Sequence, residues 1–121
     1  MADAVVWAVA ALFAGMGVYA LAAPAAILAP FGVPVESADG RAEVRAVYGG
    51  FGIAVAALLG VAAAEGGGAR EGILVAVGVA LAGMAFGRLA ARAFERPSGF
   101  YPVWFYFWVE VGGAVALIAA A

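Results

Sequence analysis

Glu110 is a carboxylate inside an apolar run, residues 103–121, that contains no basic residue. A carboxylate in such surroundings can do acid/base work on a lipophile if no cation faces it. Paired with a guanidinium from another segment, it instead accepts a forked, two-bond ion pair. Two arginines are available for that pair: Arg45, early in the apolar run 41–64, and Arg88, near the end of the run 72–93. Tyr48 follows Arg45 by three residues and shares a helical face with it and with Arg41. The stretch Phe100-Tyr101-Pro102-Val103-Trp104-Phe105-Tyr106-Phe107-Trp108 is aromatic at seven of nine positions. A ligand-binding set of Arg45, Tyr48, Arg88, Glu110, Trp104, Tyr106 and Trp108 follows. In it, an anionic or hydroxyl head group would meet the arginines and the rings would wall an apolar body.

The elements that carry these residues are transmembrane helices. The chain has 121 residues, 68% of them hydrophobic and 12% charged, against about half apolar and a quarter charged in a soluble domain. Its net charge is −2 and its six arginines are scattered, so nucleic acid is not an expected partner. With no Cys and no His, thiolate catalysis, zinc–sulfur sites, imidazole-ligated haem and the usual triads are excluded. Lys, Asn, Gln and Thr are absent too, and Ser occurs only at Ser37 and Ser98. No metal or cofactor is expected, and chemistry is left to Arg, Asp, Glu, Tyr, Trp, Ser and the backbone.

Four apolar segments, 4–23, 41–64, 72–93 and 102–120, each have about the 20 residues needed to cross a hydrocarbon core of about 30 Å. The expected fold is all-α, an integral membrane four-helix bundle in one domain, with antiparallel neighbours and both termini on one side. The first segment reads as a retained helix and not a cleaved leader, because its start holds Asp3 and no Lys or Arg. Residues 24–40 contain Pro24, Pro30 and Pro34 and read as a loop, its apolar piece 25–31 at the interface, with Asp39 or Gly40 capping the second helix. Ala11 and Gly15, the stripe Gly52, Ala56 and Gly60, and the G-x-x-x-G of Gly83 and Gly87 are candidates for close helix contact. The last of these could act within the chain or between copies of a homo-oligomer. The loops at 24–40 and 94–101 lie beside Arg41, Arg92 and Arg96, whereas the other side has only Arg70. That bias puts the termini outside the cytoplasm.

Counted from the segment ends at about 1.5 Å per residue, Arg45, Tyr48, Arg88 and Glu110 share a layer roughly 5–12 Å below the arginine-rich side. A charge at a helix centre costs about 2.5–3.5 kcal/mol on insertion scales, which a bidentate pair between Glu110 and Arg45 or Arg88 would offset. Plainer accounts are available for several of these residues. Arg88, Arg92 and Arg96 can snorkel to head groups, the aromatic run can be an interfacial belt, and Glu43 can be a helix-start carboxylate.

The string Glu43-Val44-Arg45-Ala46-Val47-Tyr48-Gly49-Gly50, with Gly87-Arg88 in the third segment and Glu110 in the fourth, resembles the bacterial family called domain of unknown function 4345. The resemblance implies a small four-helix protein of the inner membrane and leaves its activity open. The functional reading from the residues is binding of a lipid or other lipophilic small molecule in the membrane. The alternatives are isomerase-type acid/base chemistry through Glu110, a small dimeric proton-coupled transporter, and an accessory subunit packing through Gly83 and Gly87.

Overall fold

The computed structural model describes residues 2–97 and 99–121. Its helices are α1 (Ala2–Ala22), α2 (Pro24–Leu28), α3 (Ala38–Val44), α4 (Phe51–Glu65), α5 (Gly68–Ala91) and α6 (Phe105–Ala120). Among the described residues there is no strand. A π-helical turn, Arg45–Gly50, joins α3 to α4 without a break, and Phe100–Trp104, kinked where the Tyr101 backbone is extended, leads into α6. Four helical stretches are long and apolar enough to cross a membrane: Ala2–Ala22, Ala38–Glu65, Gly68–Ala91 and Phe100–Ala120. In hydrocarbon the backbone has no water to bond, so an apolar chain of this length closes its hydrogen bonds within helices.

α1 packs along α4 and α5 along α6, with further contacts between α4 and α5 and between α1 and α6. The directions follow from the contacting pairs. Gly17 meets Gly49 and Ile53 while Gly60 meets Trp7; Gly78 meets Ile118 while Arg88 meets Glu110. Each pair runs up one helix and down the other, so these neighbours are antiparallel. Arg70 ties one end together: its guanidinium donates to the Ala62 carbonyl at 2.9 Å and the Ala120 carbonyl at 3.5 Å, and faces Asp3 at 3.0 Å. The carbonyls at a helix's end lack partners within the helix; Arg70 supplies one for Ala120 and is a second donor to Ala62, whose carbonyl also accepts from the Gly66 amide at 3.3 Å. Both chain ends therefore lie beside the 66–67 turn.

The apolar core occupies that same half of the molecule. Val6, Val9 and Ala10 of α1 meet Leu59 and Ala62 of α4, Leu74, Val77 and Leu81 of α5, and Ala114 and Leu117 of α6. The charged residues of interest all lie beyond it, toward the other end.

Three sequence expectations are corrected. Residues 24–40 are not simply loop, because Pro24 opens the short helix α2 and a 3-10 turn, Ala29–Phe31, follows. Proline at a first helical position loses no hydrogen bond. The second long helix starts at Ala38, capped by Ser37 and not by Asp39 or Gly40; the Ser37 hydroxyl accepts from the Gly40 amide at 2.9 Å. The close approach of α1 falls on Gly17 and not on Gly15, where an added Cβ would meet nothing within 4 Å among the described residues. Gly83 and Gly87 are equally open, so packing within the chain does not use them.

The cap carries a testable consequence. Ser37→Ala is expected to cost about 1 kcal/mol at this helix end and to speed hydrogen exchange at the Gly40 amide, whereas Ser37→Asp should preserve protection. Equal exchange in wild type and Ser37→Ala would show that the cap contributes nothing.

Candidate functional site

Arg88 lies in the last turn of α5 and Glu110 in the first half of α6. The antiparallel register that sets Gly78 against Ile118 brings these two side chains together at the opposite end of the helix pair. Arg88 Nε donates to Glu110 Oε1 at 2.7 Å, and Nη2 donates to Oε2 at 2.9 Å. Both carboxylate oxygens are engaged, and Glu110 is only 5% exposed. The planar fork matches the carboxylate edge, and two charge-assisted bonds offset the desolvation of the buried carboxylate.

Two rings cover the guanidinium. Its central carbon lies 5.8 Å from the centroids of both Phe31 and Tyr106. Those rings stack on each other at 5.7 Å and 29°. Phe31 belongs to the 3-10 turn after α2, so a cation–π contact fastens the 24–37 segment to the α5–α6 pair. Glu110 is thus half of a closed, ring-covered ion pair.

Arg45 takes no part in it. Its Nε donates to the Leu21 carbonyl at 3.0 Å, in the last turn of α1, where a carbonyl lacks a helical partner. The π turn explains why Arg45 and Tyr48 have different surroundings. Bonding from i to i+5 widens the turn, so the regular spacing that sets Arg41, Arg45 and Tyr48 on one face does not carry through residues 45–50. The turn also lies where α1 comes closest. A Cβ on Gly49 would stand 2.8 Å from the Leu21 side chain, and one on Gly17 would stand 2.7 Å from the Gly49 carbonyl.

Tyr48 instead lines a groove of about 410 Å³ between the 28–37 segment and the start of the second long helix. Leu28, Val33, Val35, Val44 and Val47 make its apolar wall; Glu36, Ser37, Glu43 and Tyr48 supply the polar atoms. The groove is a product of α2 and the extended chain after it folding back over α3, whose last residue, Val44, is buried.

The remaining aromatic candidates do not reach this groove. Trp104 packs edge-on against Phe107 at 5.5 Å, and Phe107 against Trp108 at 5.0 Å. Trp108 is 60% exposed, as a ring in an interfacial belt would be. The seven candidate residues therefore divide: Arg88, Glu110 and Tyr106 meet, Tyr48 lines the groove, and Arg45, Trp104 and Trp108 stand apart from both. Sequence reasoning placed Leu28 and Phe31 only in an interfacial apolar piece, 25–31, and gave no site role to them or to the groove wall from Val33 to Val35. The available signal was weak: single apolar residues set among Pro30, Gly32 and Pro34, with no periodicity to assign them a face.

A family model described as domain of unknown function, DUF4345, matches residues 1–121, the whole chain. No curated protein and no solved structure matches.

Proposed function

The chain belongs to the family described as domain of unknown function DUF4345, and from that premise we propose that it is a multi-pass membrane protein that binds a lipophilic small molecule in the groove beside Tyr48. The observation that carries this reading is the groove itself. Its volume of about 410 Å³ falls within the roughly 300–1,000 Å³ of small-molecule sites, and its wall combines five aliphatic side chains with a few polar ones. We infer a bacterial inner-membrane location, with the arginine-rich loops on the cytoplasmic side. The groove, beside the 24–37 segment, would then open near the cytoplasmic face.

The ligand then sits away from Arg88 and Glu110. With both its oxygens held by one guanidinium, Glu110 favours a positioning role over acid/base catalysis or proton coupling. The pair would act through Phe31, which holds the segment that walls the groove.

Native mass spectrometry of protein purified in maltoside tests the proposal. Wild type is expected to retain a lipophile at one per chain. Val47→Trp, which adds bulk at a half-exposed groove position, is expected to release it without unfolding the protein. Equal retention by wild type and Val47→Trp, or none by wild type when lipophiles are supplied, overturns it.

A further inference from the structure

The charges around the groove select among lipophiles. Two carboxylates, Glu36 and Glu43, line it and, among the described residues, no arginine does. The basic residues nearest in sequence are directed elsewhere or excluded: Arg45 donates to the Leu21 carbonyl, and Arg41 is not part of the lining although Gly40 and Glu43 are. Tyr48 adds a phenol ring, whose face attracts alkylammonium groups. A sulfate, phosphate or carboxylate head would meet two like charges here with no lining cation to balance it.

Resting on the lipophile-binding reading above, we propose that the occupant is a cationic amphiphile: one alkyl chain against Leu28, Val33, Val44 and Val47, and an ammonium head, free of phosphate, between Glu36, Glu43 and Tyr48. Charge complementarity decides the head group. The wall decides the tail, since its aliphatic side chains, lining about 410 Å³, give an alkyl chain an apolar surface to lie against. The same logic disfavours phosphatidylethanolamine, whose ammonium fits but whose phosphate finds no cation on the wall.

The test compares four probes on the purified protein in maltoside micelles, read by native mass spectrometry across a concentration series. They are decyltrimethylammonium, decanol, decyl sulfate and phosphatidylethanolamine. The expected result is half-occupancy by the ammonium at about tenfold lower concentration than decanol, as two carboxylate contacts and a ring face allow. In the Glu36→Gln/Glu43→Gln double variant the ammonium should fall to the level of decanol. Decanol binding itself should not change, which also certifies that the variant is folded. If decanol matches the ammonium in wild type, or decyl sulfate or phosphatidylethanolamine binds best, the cationic assignment is wrong while the groove remains a lipophile site. If no probe binds, or Val47→Trp leaves all binding unchanged, the groove reading fails along with it.

Discussion

Arg88→Met is expected to be the most damaging single substitution in the chain, with a loss of about 3–5 kcal/mol of stability. The reason lies with the residue left behind. Glu110 is 5% exposed and takes both of its hydrogen bonds from Arg88, so removing the guanidinium strands a buried carboxylate without its cation. Glu110→Met should cost less, because the orphaned arginine is on a longer stem and its side chain is already 22% exposed, which lets it reach toward water. The double variant Arg88→Met/Glu110→Met should recover most of the loss, since two apolar side chains of similar volume can replace a buried pair at little cost. Arg88→Lys keeps the charge but not the planar fork and belongs between the extremes. Tryptophan fluorescence during denaturant titration in mixed micelles supplies the four numbers, and the double-mutant cycle extracts the coupling. A coupling below about 0.5 kcal/mol would mean that the pair contributes little and that its geometry is incidental.

Gly17→Ala and Gly52→Ala form the second large prediction. A Cβ at Gly17 would stand 2.7 Å from the Gly49 carbonyl oxygen and 2.9 Å from the Ile53 amide nitrogen. One at Gly52 would stand 2.9 Å from the Phe13 carbonyl oxygen and 3.1 Å from the Gly17 Cα. These neighbours are backbone atoms, which cannot rotate aside as a side chain can, so α1 and α4 must separate. Each substitution is expected to cost about 1–3 kcal/mol through overpacking. Gly15→Ala supplies the control: two residues from Gly17 in the same helix, it meets nothing within 4 Å among the described residues and gains helix propensity. Thermal unfolding of the three variants should rank Gly17→Ala and Gly52→Ala well below Gly15→Ala. Identical midpoints would place the helices farther apart than the contacts around Gly49 require. Because that crossing also holds Arg45 against the Leu21 carbonyl, the same substitutions should loosen the π turn and with it the Tyr48 side of the groove.

The four apolar stretches were legible because hydropathy is a property of composition along the chain, and a membrane demands continuous runs of it. The prolines were harder to read. Pro24 looks like a helix stop in isolation, but at a first helical position it starts one. Ser37 was an available cap signal, outweighed by the nearby Asp39 and Gly40. The π turn at Arg45–Gly50 had no such signal. It accompanies the close approach of α1 at Gly17 and Gly49, a contact between residues 32 positions apart in sequence.

The candidate site divided for the same reason. Residue types alone showed that any cation for Glu110, in a run without a single base, must come from another helix, and that Arg45 and Arg88 were the candidates. The choice between them depended on register: the α5–α6 packing that seats Gly78 against Ile118 delivers Arg88 to Glu110, while Arg45 is taken by the end of α1. The groove was not foreseeable at all, since its wall comes from a proline-broken segment folded over α3. Composition and hydropathy are local, additive properties, and they determined how many helices are long and apolar enough to cross a membrane. Partner choice and cavity shape depend on where distant segments come to rest, and only the packed tertiary structure decided those.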